Sequence, residues 1–268
     1  MADATARAPI VDAHAHIFVR DMPFAEDAHS RPQYEYPVET YLADLDRHGI
    51  AYGVIAAASL YGDYNDYTLA ALQAHPRLRG TVILKPDTDI ATLRAMADRG
   101  VVGVRLQWRR MATLPDLTDE PYRSFLRRLA DCGLHVELLA GSAALPALLP
   151  QLVAAGPRIV VDHFGVPSRE QGASCAGIDA LLRAIAGGDT WVKISAGFRM
   201  PYEVAAACTA RFLGEAGPQR LLWGSDAPFV NHEATADFDA ALDLYRRLVP
   251  DAAIRAAIDA AALDLFFN

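Results

Sequence analysis

The run Ile10-Val11-Asp12-Ala13-His14-Ala15-His16 combines a short apolar start with three titratable side chains at alternate positions. Side chains alternate between the two faces of a strand, so Asp12, His14 and His16 are predicted to share one face of a first strand. Polar groups on a buried face are costly unless that face lines a site. The alternative is a capping or surface pattern near a terminus, and the segments that follow decide between the two.

Outward from this strand, short apolar runs alternate with helical patterns along the chain. The predicted strands are residues 10–16, 51–58, 81–85, 101–107, 134–139, 158–163, 190–195 and 221–226. The predicted helices, with apolar residues at three- and four-residue spacing, are residues 38–48, 67–74, 90–99, 121–132, 143–155, 178–186, 201–216 and 233–249. About eight strand–helix units indicate parallel strands joined by crossover helices.

The length of 268 residues fits closure of these units into one α/β domain, a (β/α)8 TIM barrel, for which about 250 residues is typical. Residues 251–267 are predicted to add a C-terminal helix, and nothing in the composition divides the single domain 1–268. An open, doubly wound sheet is the alternative architecture. It is disfavoured because no GxGxxG motif follows the first strand.

The composition narrows the class of partner. A formal net charge of −8 disfavours nucleic acid and anionic membranes, and no apolar run approaches the length of a membrane span. The start, residues 1–9, lacks an apolar signal core, and the three cysteines are widely spaced without a CxxC motif. These features predict a cytoplasmic protein that acts on a small molecule.

Two further polar residues stand at the ends of predicted strands. The sixth strand ends at His163 and the eighth at Asp226. Catalytic residues of such barrels lie at the C-terminal ends of the strands, so these two side chains are predicted to join His14 and His16 on one rim. Taken singly, each has a structural alternative; Asp226, for instance, could cap the helix that follows.

The segments DAHAH (residues 12–16), VVDHFG (160–165) and LLWGSDAPF (221–229) together resemble the amidohydrolase superfamily. Residues 58–65, 103–106 and 191–195 resemble its lactonase branch, which includes 2-pyrone-4,6-dicarboxylate and sugar-acid lactonases. The resemblance implies a hydrolase that opens a small carboxylated lactone, a cyclic carboxylic ester. In that reading Asp226 activates water, and His14, His16 and His163 polarise the lactone carbonyl.

The need for a metal is left open by the residues. Binuclear members of the superfamily use a lysine at the end of strand four, and residues 101–108 contain none. Because a lactone has a good leaving group, chemistry without a cofactor is the first hypothesis, and one Zn²⁺ held by His14, His16, His163 and Asp226 is the alternative. A metal-dependent decarboxylase or hydratase, a lactone isomerase and a catalytically silent anion-binding barrel are the competing functions.

Several arginines point to an anionic substrate. Arg105 interrupts an apolar strand, and Arg199 follows the seventh strand. The resemblance implies that these two anchor substrate carboxylates, with Arg109 and Ser59 as further contacts. For Arg109 the alternative is pairing with nearby acidic residues such as Asp116, and Ser59 could equally cap a helix.

Two more charges fall within predicted strands. Strand parity places Lys193 and Glu137 toward the barrel interior, where each needs a partner of opposite charge. Their expected role is architectural. The role of Asp12 stays open between orienting the histidines, ligating a metal and pairing with a buried cation.

Overall fold

The computed structural model describes residues 8–268, so most of the predicted polar start 1–9 lies outside the described residues. Within them, eight strands alternate with helices. The strands are β1 (Val11–Ala15), β2 (Tyr52–Ile55), β3 (Leu78–Val82), β4 (Val101–Gln107), β5 (His135–Leu139), β6 (Ile159–Val161), β7 (Thr190–Ser195) and β8 (Leu221–Gly224). The helices are α1 (Val38–His48), α2 (Asp66–Ala74), α3 (Ile90–Ala97), α4 (Tyr122–Asp131), α5 (Leu145–Ala155), α6 (Ala176–Ala186), α7 (Tyr202–Glu215), α8 (Phe238–Leu248) and α9 (Ala252–Phe267).

The strands pair in sequential order from β1 to β8, all in parallel. The sheet closes where Ala15 and Ala227 form a parallel bridge. Beside it, the Asp226 N–H donates to the His14 carbonyl at 2.8 Å, and the His16 N–H donates to the Ala227 carbonyl at 2.7 Å. The predicted (β/α)8 TIM barrel is confirmed. The doubly wound alternative is wrong, because that fold requires a reversal of strand order.

The helices form because their apolar residues recur on one face. In α1, Val38, Tyr41 and Leu45 are buried at spacings of three and four residues. The helix ends at Gly49, whose φ of 70° is left-handed and favours glycine. Helices of this kind cover the outside of the barrel, so the outward face of the strands is largely apolar.

The predicted C-terminal helix is confirmed as α9, and it covers the N-terminal end of the barrel. Its first turn is capped by Asp251, whose side chain accepts from the Ala253 N–H at 2.7 Å. The residues that meet at this end form one buried apolar cluster: Val11, Ala13, Val54, Val160, Leu222, Ala262, Leu265 and Phe266. The opposite, C-terminal end is therefore the open one.

Several predicted boundaries differ from the structure, with clear shifts at β3 and α8. Strand β3 spans Leu78–Val82 rather than residues 81–85. It ends there because the Asn65 side chain donates to the Ile83 carbonyl at 2.9 Å and accepts from the Ile83 N–H at 3.2 Å, so these backbone groups do not pair with a neighbouring strand. Helix α8 begins at Phe238 rather than at residue 233. Its start is set by Asp237, whose side chain accepts from the Ala240 N–H. In the part of the chain that the structure describes, no helix is both long and apolar enough to cross a membrane.

Candidate active site

Four side chains converge at the open end of the barrel. His14 lies in β1, His16 just after it, His163 just after β6 and Asp226 just after β8. The Nε2 atoms of His14, His16 and His163 lie 3.6, 3.5 and 3.9 Å from Oδ1 of Asp226. The structure therefore gathers all four predicted catalytic side chains around one carboxylate oxygen.

Two of the imidazoles are oriented through Nδ1. Nδ1 of His16 lies 2.8 Å from the carbonyl oxygen of Ala56, which can only accept, so this nitrogen donates. Nδ1 of His163 lies 2.8 Å from Oγ of Ser195. A hydrogen bond at one ring nitrogen fixes the direction of the other, so both Nε2 atoms face the carboxylate.

Beneath the histidines, two cations and two carboxylates pair inside the barrel. Lys193 Nζ lies 2.5 Å from Glu137 Oε2 and 3.3 Å from Asp162 Oδ1. Arg105 donates to Asp162 Oδ2 from Nε and Nη2, at 3.1 and 2.8 Å, and its Nε lies 2.9 Å from Glu137 Oε1. The interior placement and opposite-charge pairing predicted for Lys193 and Glu137 are confirmed. Lys193 also reaches His14, its Nζ lying 3.0 Å from Nδ1.

Burial keeps two of the site histidines neutral. Burial and the neighbouring Lys193 ammonium hold the pKa of His14 well below its usual value. Burial likewise lowers the pKa of His163 to about 4. At neutral pH these imidazoles are available as hydrogen-bond donors or as metal ligands.

Asp226 is an ionised carboxylate with a cation on its second oxygen. Nε of Arg199 donates to Asp226 Oδ2 at 2.9 Å. Burial alone would raise the pKa of Asp226, but His163, a hydrogen bond from His16 and the Arg199 guanidinium together bring it well below the usual range. Asp226 is therefore an ionised carboxylate that its neighbours stabilise.

The backbone is left-handed at three strand ends that border the site. His163, Ala196 and Asp226 have φ of 50°, 53° and 64°, a region that non-glycine residues rarely occupy. Such conformations cost on the order of 1–3 kcal/mol each and cluster at functional sites. Here they redirect the chain after β6, β7 and β8 and set the direction of two site side chains.

Asp12 does not join the histidines, and the predicted shared face is wrong for it. Its Oδ1 accepts from the Ser225 N–H at 2.8 Å, and its Oδ2 accepts from Ser225 Oγ at 2.6 Å and from the Tyr41 hydroxyl at 3.2 Å. Tyr41 lies in α1, so Asp12 faces the helical layer, and an irregular register just after it turns His14 inward. Burial raises the pKa of Asp12 to about 6. The residue ties β1 to the segment after β8.

A cavity of about 120 Å³ opens above the cluster. The predicted substrate contacts Arg105, Arg109, Arg199 and Ser59 all line it. Arg105 lies at its floor and is almost fully buried, with Nη1 donating to the Ala57 carbonyl in addition to its carboxylate pairs. Its charge is thus largely neutralised within the protein, unlike those of Arg109 and Arg110.

The rim cations have few anionic partners. Asp116 and Glu120 bind other side chains, so the alternative pairing of Arg109 with them is wrong. Among residues 8–268, neither Arg109 nor Arg110 forms an ion pair with a carboxylate. Burial and the neighbouring guanidiniums lower the pKa of Arg109. A cluster of uncompensated positive charge therefore faces the cavity.

Sequence reasoning missed Asp162, His29 and Asn231. Asp162 ends an apolar run directly before His163, a signal that could have identified it. His29 and Asn231 come from the loops after β1 and β8 and line the cavity. The two loops are joined by Ser30, which donates to Asn231 Oδ1 at 2.9 Å. No local pattern predicts a contact across 201 residues.

The donor set fits a divalent metal. One ligand atom each from His14, His16 and Asp226 lie within 4.8 Å of one another, as do atoms of His14, Asp162 and His163. Imidazole nitrogens and carboxylate oxygens are ligands that zinc accepts. In the described part of the chain, Nε2 of His14 is buried without a hydrogen-bond partner. This point in the site therefore suits an exogenous atom, whether a metal, a water or a substrate oxygen.

The arrangement of strands and helices has counterparts among solved structures. A structure from Acinetobacter baumannii, named as a probable 2-pyrone-4,6-dicarboxylic acid hydrolase with citric acid bound, superposes with a TM-score of 0.92. It is 29% identical, and the match covers 97% of this chain and 99% of that one. The same parallel barrel is therefore found in a solved structure that is named as a hydrolase.

The family follows from sequence comparison. The family model described as amidohydrolase matches residues 11–260, and the chain belongs to this family. A 4-sulfomuconolactone hydrolase of Rhizobium radiobacter is 31% identical over 261 residues, covering 91% of this chain and 85% of that protein. A 2-pyrone-4,6-dicarboxylate hydrolase of Comamonas testosteroni is 28% identical over 238 residues, covering 82% and 77%.

Proposed function

We propose that this protein hydrolyses a small lactone that carries one or two carboxylates or an equivalent anion. The observation that carries the proposal is the convergence of three imidazole Nε2 atoms on Asp226 Oδ1 beneath a cavity walled by guanidinium groups. The two curated relatives are named as hydrolases of anionic lactones. The solved relative from Acinetobacter baumannii holds citric acid, a tricarboxylic acid.

Asp226 acts as the base in this proposal. Its Oδ1 takes a proton from a water molecule, and the hydroxide attacks the lactone carbonyl carbon. The tetrahedral intermediate collapses with cleavage of the bond between the carbonyl carbon and the ring oxygen. Asp226 returns the proton to the leaving oxygen, so the product is a ring-opened hydroxy acid or enol acid and the enzyme is regenerated.

His14 supplies a donor for the oxyanion. Nδ1 of His14 faces both the Lys193 ammonium at 3.0 Å and the Asp162 carboxylate at 3.3 Å, and in this proposal it accepts from Lys193 and keeps the ring proton on Nε2. That Nε2–H points into the site, where negative charge develops on the carbonyl oxygen. His163 is positioned to share this role. His16, held by the hydrogen bond from its Nδ1 to the Ala56 carbonyl, presents Nε2 beside Asp226 Oδ1, where it orients the attacking water.

Arg199 and Arg109 bind the anionic substituents of the substrate. Both line the cavity, and the Arg109 guanidinium lacks an ion-pair partner within residues 8–268. A guanidinium can bind a carboxylate through two parallel hydrogen bonds. Arg105 contributes positive charge from the floor, and Ser59 offers a hydroxyl in the lining of the same cavity.

The proposed reaction needs no metal. A lactone has a good leaving group, so imidazole donors can activate its carbonyl without a Lewis acid. If a divalent ion is bound, His14, His16, His163 and Asp226 are the residues that would hold it. It would polarise the carbonyl and lower the pKa of bound water to about 7. Elemental analysis together with turnover after exhaustive chelation separates the cases: activity that survives without stoichiometric metal supports the proposal.

The function is tested with a panel of carboxylated and sulfonated lactones, including 2-pyrone-4,6-dicarboxylate. Hydrolysis adds the mass of one water to the substrate, whereas an isomerase product keeps the substrate mass and a ring. A decarboxylase product loses carbon dioxide. No turnover of any panel member, or products with the latter masses, would refute lactone hydrolysis.

The role of Asp226 is tested by Asp226→Asn. Loss of a general base lowers kcat by about 10²–10⁴-fold, while binding of the anionic lactone measured by calorimetry stays within a few fold. Asp131→Asn at the exposed end of α4 is the matched control and should retain wild-type kcat. A near-normal kcat for Asp226→Asn would reject this residue as the base.

A further inference from the structure

A second cavity adjoins the candidate active site. Its volume is about 390 Å³, against about 120 Å³ for the cavity above the histidine cluster. The two cavities share His163, Arg109 and Arg199 in their walls, so the second lies on the side of β6 and β7. A small monocyclic lactone placed over Asp226 would leave this larger space empty.

The second cavity differs in chemistry from the first. Its wall includes the apolar side chains of Val166, Phe198, Met200 and Val204, all partly exposed to the space. Exposed apolar surface of this kind marks a binding site for an apolar group. Phe198 lies at the boundary, where the Arg199 guanidinium sits 5.0 Å from its ring centroid.

The second cavity also carries a cation that does not line the first cavity. Arg169 lines it, is exposed, and forms no ion pair within the described residues 8–268. It is near enough to Arg109 to lower the pKa of that guanidinium. An apolar wall that also includes an unpaired guanidinium suits a hydrocarbon group that ends in an anion.

We propose that the second cavity binds an apolar arm of the lactone substrate, with an anionic group at the end of the arm placed against Arg169. The inference rests on the proposed lactonase function and narrows its substrate class. The preferred substrate is a carboxylated lactone bearing an aryl or alkyl arm of several carbons, larger than a pyrone dicarboxylate. The ring and its carboxylate occupy the first cavity, and the arm passes between His163 and Phe198.

The experiment compares 2-pyrone-4,6-dicarboxylate with a 2-pyrone carboxylate that carries a phenylpropanoate arm. In the wild type, the arm should raise kcat/KM about tenfold or more, equivalent to about 1.4 kcal/mol. Val204→Trp fills the cavity and should remove this advantage while leaving the kinetics of the arm-free lactone within twofold. Val153→Trp, at an exposed position of α5, is the matched control and should behave like the wild type. If Val204→Trp does not fold, Met200→Trp replaces it.

The terminal anion is tested separately. Arg169→Ala should lower kcat/KM for the phenylpropanoate-bearing lactone and leave a lactone with an uncharged phenylpropyl arm unchanged, and Arg169→Lys should restore part of the loss. An arm without effect in the wild type, or equal losses for both lactones in the cavity-filling variant, would overturn the proposal.

Failure of the proposed function is distinguishable from failure of this inference. Calorimetry with 4-(4-carboxyphenyl)butanoate, which has no lactone to hydrolyse, measures the second cavity directly. If the wild type binds this probe, Val204→Trp abolishes the binding and no lactone is hydrolysed, the second cavity is supported as a binding site and the lactonase function is rejected. If the arm-free lactone is hydrolysed but this probe does not bind, the lactonase function is supported and the proposed role of the second cavity is rejected.

Discussion

Arg199 has two competing partners, since it donates to Asp226 in the free protein and faces the anion-binding cavity. A carboxylate with a strongly lowered pKa is a weak base. When a substrate carboxylate draws the guanidinium away, Asp226 loses a stabilising cation and gains a nearby anion. Both changes raise its pKa, so in the proposed mechanism substrate binding would make Asp226 a stronger base.

The first prediction concerns the pH dependence of Arg199→Gln. Loss of the cation raises the pKa of Asp226, although the facing His14, His16 and His163 continue to lower it. Because the reaction needs the carboxylate form, the acid limb of kcat/KM should move to higher pH than in the wild type. The measurement uses a lactone without a carboxylate, so that lost anion binding does not confuse the profile.

Arg199→Lys retains a positive charge and is the control for this variant. Its acid limb should lie between those of the wild type and Arg199→Gln. Coincident acid limbs for all three proteins would show that Arg199 does not govern the pKa of Asp226.

The sequence predicted the four central side chains because each stands at a strand end. It could not predict the direction of Asp12, because the register irregularity after this residue breaks the alternation of faces. Nor could it predict that Arg105 donates hydrogen bonds to Asp162 and to the Ala57 carbonyl. That depends on side chains that only the closed barrel brings together.

At the scale of elements, a charge network joins four neighbouring strand segments. Arg105 is in β4, Glu137 in β5, Asp162 just after β6 and Lys193 in β7. The two cations and two carboxylates balance, and all four side chains are at most 3% exposed. A balanced buried network tolerates joint removal of opposite charges better than removal of one.

The second prediction is that Lys193→Met lowers the free energy of unfolding by about 3–5 kcal/mol, because it leaves a buried carboxylate uncompensated. Lys193→Met combined with Glu137→Leu restores the balance and should be more stable than the single variant. Denaturant unfolding of the three proteins measures both effects. A double variant no more stable than Lys193→Met would show that packing, rather than charge, governs the loss.

Element boundaries were predicted less well than element types. The start of β3 was missed because Arg79 and Gly80 interrupt its apolar pattern, although both pair with β2 in the structure. The start of α8 was placed too early because residues 233–237 resemble a first helical turn. In each case a side chain, Asn65 or Asp237, takes the backbone groups that decide where the element ends or begins.

At the scale of the molecule, an acidic protein presents a positive site. The net charge is −8, yet guanidinium groups of Arg105, Arg109, Arg110 and Arg199 line one cavity. The net negative charge of the protein repels an approaching anion, whereas the arginines that line the cavity attract it. Attraction should dominate at contact, because the rim charges lie within a Debye length of the substrate.

The third prediction is a rise in KM for a carboxylated lactone as ionic strength increases. Between about 0.01 and 0.15 M the Debye length falls from about 30 to 8 Å, so KM should rise a few fold. Arg110→Gln, at the exposed rim, should flatten this dependence, whereas an uncharged lactone should show none in either protein. A KM that falls with salt would mean that the net negative charge controls substrate approach.

Helix α9 covers the N-terminal end of the barrel. In the proposed function, substrate therefore enters and product leaves through the C-terminal end. A ring-opened acid carries one more carboxylate than its lactone and meets the same arginines on its way out. The proposed product therefore competes with the next substrate molecule for the same arginines at the open end of the barrel. Product inhibition that is competitive with the lactone follows from the position of one terminal helix.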